Sequence, residues 1–243
     1  MSLLGKAALA MWWDMAPEVK AEFEDWHSHE HFPERLAIPG FHRGTRWTSA
    51  TDGQGIFVMY EVEAHETLSS PAYVARLNAP TPWSTKMMPD HRNMVRSQCH
   101  VLESRGDAVG RYALTVRFSP ASGRDADVRA YFKSLGESLV SRPGLIGAHL
   151  LRHQTPAVAL TTEQKIRTAT DQVADWVFAV CGYELTVLED LVTSSLADSL
   201  SNMGVARGHV SGLYSISHSA TAEDIAWRSL HAASSGFSAV CSS

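Results

Sequence analysis

Apolar and polar positions along this chain switch between a period of two and a period of about 3.6, and the order of the switches repeats. Residues 6–14 carry Ala7, Leu9, Met11 and Trp13 on one face and Ala8, Ala10 and Trp12 on the other. A strand that is apolar on both faces is covered on both sides. Pro17 opens a helix at its first turn, and Val19, Phe23 and Trp26 continue it at helical spacing until about Leu36. After Pro39-Gly40 the pattern predicts a strand over 41–48, a turn at Asp52-Gly53-Gln54-Gly55 and a strand over 56–63. A helix over 65–78 is broken by Ala79-Pro80-Thr81-Pro82-Trp83. A short helix over 85–94 and a strand over 95–103 complete the series β-α-β-β-α-β.

The same series returns in the second half. Strands are predicted over 111–118, 145–152, 175–182 and 206–216, with helices over 125–141 and 186–202. Local matches support a true repeat: Val19 and Phe23 with Val128 and Phe132, Pro39-Gly40 with Pro143-Gly144, and Asn93-Met94 with Asn202-Met203. Residues 154–174 are a polar insertion between two strands, expected as a loop or short helix. Each β-α-β-β-α-β unit is a ferredoxin-like fold, with helices on one face of an antiparallel sheet. The bare faces are buried by packing the two sheets into a barrel. The expected class is therefore α+β, two fused ferredoxin-like repeats forming an α/β barrel. The first repeat covers 1–107, the second 108–220, and a Ser/Ala-rich tail, expected to be poorly ordered, covers 221–243.

Composition narrows the classes. At 243 residues, 44% hydrophobic and 19% charged, the chain can bury a substantial core. A net charge of −5, with no basic run interleaved with aromatics, argues against a nucleic-acid partner. Cys99, Cys181 and Cys241 are scattered, which fits a reducing, cytoplasmic compartment. The apolar start, with Lys6 as its only basic residue, reads as a first strand and not as a leader. No run of about 18 apolar residues suggests a membrane span.

The candidate chemistry is concentrated in Trp26-His27-Ser28-His29-Glu30-His31-Phe32-Pro33-Glu34. Imidazole is the side chain most easily poised to move a proton near neutral pH. On a continuous helix His27, His31 and Glu34 share one face and His29 points elsewhere. His27 and His31 are then an acid/base pair, with Glu30 or Glu34 orienting one ring. The competing explanation is a solvated or ion-paired helix end. A metal held by His27, His31 and Glu34 is the weaker option, because the glutamate of His-Glu-x-x-His is missing. The matching stretch of the second copy, 132–139, has no histidine, and the span from Phe132 to Pro143 is five residues shorter than that from Phe23 to Pro39. One site per chain is expected, in the first repeat. Arg43 and Arg46 are candidate contacts for an anionic group, and Trp47, Tyr60 and Trp83 for an aromatic one. His29 and His91 complete the expected binding residues. No Gly-x-Gly-x-x-Gly, Walker loop or Gly-x-Ser-x-Gly elbow is present.

Phe23, Trp26-His27, Glu30-His31, Pro33 and Pro39-Gly40 together resemble the first-helix motif of EthD-like proteins. The stretches 68–73 and 78–83 look like another segment of that family. Over about 5–218 the chain is similar to the dimeric α/β-barrel superfamily, in a tandem version. The resemblance implies a small-molecule enzyme, but the superfamily spans isomerases, cyclases, dehydratases, cofactor-free monooxygenases and heme enzymes. The expectation is a lyase- or isomerase-type enzyme with a small, anionic or aromatic substrate, no organic cofactor and further association into a homo-oligomer. Heme or a divalent metal, and a non-catalytic ligand-binding role, are the alternatives.

Overall fold

A computed structural model describes residues 2–51, 55–156, 158–167, 171–196 and 209–227. The first repeat runs β1 (Ala7–Asp14), α1 (Pro17–Trp26), a π-helical turn (His27–His31), α2 (Phe32–Leu36), β2 (Phe41–Ser49) and β3 (Gly55–Val62). It continues through a 3-10 turn (His65–Ser69), α3 (Pro71–Asn78), α4 (Pro82–Met87) and β4 (Arg92–Gly106). The second runs β5 (Tyr112–Phe118), α5 (Asp125–Leu139), β6 (Leu145–His153), α6 (Thr162–Ile166), β7 (Trp176–Gly182), α7 (Leu185–Leu191) and β8 (Val210–Thr221). The expected turn at 52–54, the helix beyond 196, the strand start at 206–208, the Asn202-Met203 match and the tail beyond 227 lie outside the described residues.

The sheet is a closed barrel in the order β1-β3-β2-β8-β5-β7-β6-β4. This is two ferredoxin-like sheets, 4-1-3-2 and 8-5-7-6, joined edge to edge through β2–β8 and β4–β6. Closure leaves no edge unpaired among the described strands. It also explains why β4 is longer than its apolar pattern: its first part pairs with β1, and 99–106, including the polar Glu103-Ser104-Arg105, pairs with β6. The last strand of each repeat thus crosses into the other. The repeat is visible in the backbone too. Gly40 (φ 86°) and Gly144 (φ 92°) both take the left-handed conformation that glycine tolerates, and each carbonyl accepts a hydrogen bond from the backbone at the end of the neighbouring hairpin strand, Glu63 and Tyr183.

Three cores follow from strand alternation. Ala8, Ala10, Trp12, Trp47, Phe57, Met59 and Cys181 fill the barrel lumen. There Phe57 stacks between Trp12 and Trp47 at centroid distances of 5.0 Å each. Such pairs add about 1 kcal/mol each beyond the area they bury. Ala7, Leu9, Met11 and Trp13 face the other way, onto α1, α3 and α4 with Phe23, Trp26 and Phe32. The second repeat packs Phe118, Phe132 and Phe178 in its own helix layer.

Candidate active site

The helix of the first repeat is continuous from 17 to 36 but changes pitch in the middle. His27–His31 is π-helical, and the backbone N–H of Phe32 donates to the His27 carbonyl five residues back. Pro33 has no N–H to give and its ring crowds the carbonyl four residues before it, so the ladder widens just ahead of it. One extra residue in a turn rotates everything beyond it relative to a plain α-helix. The face that regular spacing assigns to His27, His31 and Glu34 is therefore divided. His27 and His31 are buried at 1% and 8% exposure, while Glu34 is turned to Arg76, 3.4 Å away.

Both imidazoles line a cavity of about 40 Å3 between the first sheet and its helices. That is room for about three waters. Leu9, Met11, Trp13, Trp26, Tyr60, Tyr73, Met88 and His91 form most of its wall, and Arg35, Thr161, Glu163 and Gln164 close one side. The rings of His27 and His31 are 5.2 Å apart between centroids. His27 packs on Phe32 at 4.5 Å and Phe23 at 5.2 Å, and His31 on Trp26 at 4.5 Å. Aromatic packing, and not a carboxylate, sets their orientation. Five side-chain atoms on this wall are buried without a hydrogen-bond partner: Nε1 of Trp13, Nδ1 of His27, Nδ1 of His31, Nη1 of Arg35 and the hydroxyl of Tyr60.

Burial holds both imidazoles well below their usual pKa, with Arg46 adding to the effect at His27 and Arg35 at His31. Burial likewise pushes His91 down to about 3, and its Nδ1 is 3.0 Å from the Met87 carbonyl. Burial raises the Tyr60 phenol well above its usual value. The site thus presents neutral donors and acceptors beside the Arg35 guanidinium.

Several expected residues are placed elsewhere. His29 is exposed and paired with Asp25. Glu30 orients no histidine; its Oε1 accepts from Trp26 Nε1 at 3.0 Å, Thr81 Oγ1 at 2.5 Å and Ser84 Oγ at 3.3 Å, tying the π turn to the start of α4. Trp83 packs at the rim and donates to Glu22 at 3.2 Å. Trp47 lies in the lumen stack, and Arg43 also faces the lumen, donating to both oxygens of Glu61 at 2.6 and 2.8 Å. Arg46 lies against Phe23 and donates to Ser217 and the Glu24 carbonyl, outside the cavity wall. Tyr60 and His91 do reach it.

Arg35 and the insertion 154–174 carried no functional signal in the sequence, yet they close the site. Within the insertion Thr162–Ile166 form α6, opened by a Thr161/Gln164 capping box, which brings Glu163 to 2.5 Å from Arg35. The second repeat therefore contributes a wall to the first repeat's cavity. In the second repeat Gly136 matches His27 in the Phe23/Phe132 register, and a Cβ there would lie in ordinary contact, 3.5 Å, with that of Ala148. Among the described residues no three metal-ligating side chains converge, since Glu34 stands away from the two histidines. A larger, open cleft of about 390 Å3 at the barrel mouth contains Asp14 and Asp175. These carboxylates are already bonded to Asn93 and Ser119.

No protein-family model and no curated protein matches the chain. Solved structures do. An anthrone oxidase-like protein is 10% identical, with a TM-score of 0.65 over 89% of this chain and 93% of that one. This chain is a ferredoxin-like α/β barrel. The same barrel is shared with a candidate monooxygenase from Fusobacterium nucleatum subsp. nucleatum, 8% identical, TM-score 0.59 over 90% of this chain and 96% of that one. Another, from Lactobacillus acidophilus NCFM, is 10% identical with a TM-score of 0.55 over 89% and 97%. At such identities the likeness is one of fold. Within the ferredoxin-like barrel, no helix among the described residues is long and apolar enough to cross a membrane.

Proposed function

We propose that the protein is a small-molecule enzyme that moves protons with His27 and His31. The observation that carries this reading is a set of buried, unpartnered polar atoms on one cavity wall: the two Nδ1 atoms and the Tyr60 hydroxyl, together with Trp13 Nε1 and Arg35 Nη1. Folded proteins leave few such groups, because each costs roughly 1–3 kcal/mol. Five around one cavity fit a ligand that supplies their partners.

The electrostatics favour a relay. An isolated imidazolium is costly in this apolar enclosure, so a proton taken by one ring has to be passed on. With His27 and His31 adjacent, one takes a proton from an acidic C–H or O–H of the substrate. The other ring, or Tyr60, returns one at a second position, and the site ends neutral. Isomerisation, elimination, cyclisation and hydration all have this form. The reading is of a lyase- or isomerase-type activity without an organic cofactor, in an EthD-like barrel of the cytoplasm. Trp13, Trp26, Tyr60 and Tyr73 suit an aromatic substrate. That lining, with the anthrone oxidase-like and monooxygenase-like barrels as fold neighbours, supports a second reading. In it the anion left by the same abstraction is oxidised by dioxygen.

Deuterium wash-in separates these from binding alone. A panel of enolisable aromatic ketones and acids is incubated with the protein in D2O and followed by NMR. Exchange at carbon is expected with the wild type and lost in His27→Phe and His31→Phe. A folded wild type that exchanges no member of the panel, aerobically or not, would refute the acid/base assignment. Oxygen uptake distinguishes the second reading, and a visible absorption spectrum tests for heme.

A further inference from the structure

The proton-transfer reading leaves the substrate class open, and the closure of the cavity bears on it. Arg35 and Glu163 are 2% and 4% exposed. Arg35 Nη2 donates to Glu163 Oε1 at 2.5 Å, while Nη1 is buried without a partner. Both side chains line the cavity with His31 and Tyr60. The two partners come from opposite repeats: Arg35 from α2 and Glu163 from the five-residue α6. Tyr73 lies near the guanidinium, its ring centroid 5.9 Å away.

Resting on that reading, we propose that Arg35 is the anion-recognition residue of the site, that the substrate is a small monocarboxylate, and that Glu163 occupies the carboxylate's place when the site is closed. A guanidinium is a planar fork suited to two parallel bonds with one carboxylate. Glu163 fills one tooth and leaves the other open. The enclosed space is too small for a substrate with a ring, so entry requires α6 to yield. Withdrawing Glu163 with nothing in exchange strands a buried cation, which is strongly unfavourable. A carboxylate that arrives as Glu163 leaves replaces one ion pair by another. A neutral molecule of the same shape does not, and selectivity follows. The arginines that the strand pattern offers for this role, Arg43 and Arg46, are committed to Glu61 and to Ser217. α6 is otherwise latched by Asn78, whose Oδ1 accepts from the backbone N–H of Thr162 at 3.0 Å and its hydroxyl at 3.3 Å.

The test uses benzoate and its neutral isostere benzamide, titrated into the full chain and followed by tryptophan fluorescence, since Trp13 and Trp26 line the cavity. Benzoate is expected to bind at least tenfold tighter than benzamide. Glu163→Gln should tighten benzoate at least threefold without changing benzamide, and Arg35→Gln should erase the preference. Asn78→Ala loosens α6 without touching the ion pair. It should speed benzoate association while keeping the ratio, and it carries the test alone if the charge variants fail to fold. Equal affinities for the two probes, a Glu163→Gln protein that folds but binds benzoate no better, or absence of benzoate binding in wild type and Asn78→Ala alike overturns the proposal. Proton exchange at carbon reports on His27 and His31 independently, so either reading can fail while the other stands.

Discussion

His27 and His31 face one another across 5.2 Å on the wall of one cavity, and neither Nδ1 has a hydrogen-bond partner. A buried polar atom without a partner is a standing cost to the fold. Replacing either ring by phenylalanine keeps the aromatic packing, places the slightly larger ring against the adjoining cavity and removes that cost. His27→Phe and His31→Phe are therefore expected to gain about 1 kcal/mol, raising the melting temperature by roughly 2–4 °C for a domain of this size, while proton exchange is abolished. Alanine at the same positions empties space among Phe23, Trp26 and Phe32 and should cost about 2–4 kcal/mol. Calorimetry on the four variants decides the matter. Phenylalanine variants that melt well below the wild type would show that the imidazoles are structural.

Acid should unfold this protein early. His27, His31, His91 and His149 all titrate below the usual imidazole value of 6.5 because burial disfavours their charged forms, His91 at about 3 and His149 at about 4. Above pH 6.5 they are neutral folded or unfolded and contribute no pH dependence. As the pH falls below 6.5 the unfolded chain takes up protons that the folded chain refuses, so stability drops. Each such histidine contributes a slope of up to about 1.4 kcal/mol per pH unit until its folded value is reached. Urea unfolding at pH 7, 6 and 5 should show stability falling by several kcal/mol, with a shallower slope in His91→Phe. A flat profile over that range would contradict the neutral, buried state of these rings.

The barrel was legible because strand β1 advertises two buried faces and because Pro39-Gly40 and Pro143-Gly144 mark the same turn twice. The site was legible only in part. His27 and His31 at a spacing of four survive the change of pitch, but Glu34 lies beyond the π turn and is rotated off their face. Regular helical arithmetic does not contain that extra residue, although Pro33 signals where the ladder breaks. Arg35 was hidden by its neighbours: beside Glu34 it reads as a solvated helix end. Glu163 was hidden by distance, since it sits 128 positions from its partner in a polar insertion with no periodicity of its own. The strand arginines show the reverse problem. Alternation separates the faces of Arg43 and Arg46 correctly, but only the closed barrel shows that one face is a packed lumen.

Gly44 of β2 lets the strand pass close to Tyr60, a residue of the cavity wall. A Cβ on Gly44 would lie 2.8 Å from Tyr60 Cε1 and 3.1 Å from Phe32 Cε1. Tyr60 lines the cavity, and Phe32 follows the π turn and packs on His27. Gly44→Ala must displace one or both rings. A cost of about 1–3 kcal/mol in stability is expected from such overpacking, with a loss of proton exchange larger than the stability loss explains. Exchange measured where the variant is still fully folded separates the two effects. Wild-type exchange at unchanged stability would mean that the site tolerates movement of Tyr60.

The ion pair in the lumen makes a different kind of prediction. Arg43 grips both oxygens of Glu61, which is 1% exposed and also accepts from the backbone N–H of Leu4 at 2.6 Å. Removing one partner strands a charge inside the barrel, so Arg43→Met should cost about 3–5 kcal/mol. Removing both need not, because well-packed apolar groups of similar size often replace a buried pair at little cost. Arg43→Met combined with Glu61→Leu is therefore expected to recover most of the loss, leaving only the unmet Leu4 N–H. Neither protein should alter the ratio of benzoate to benzamide affinity, since this pair lies on the lumen side of the sheet from Arg35. Urea unfolding of both proteins, with the probe ratio measured on each, tests this. A double variant as unstable as Arg43→Met would mean that packing around the guanidinium stem, and not the stranded carboxylate, causes the loss.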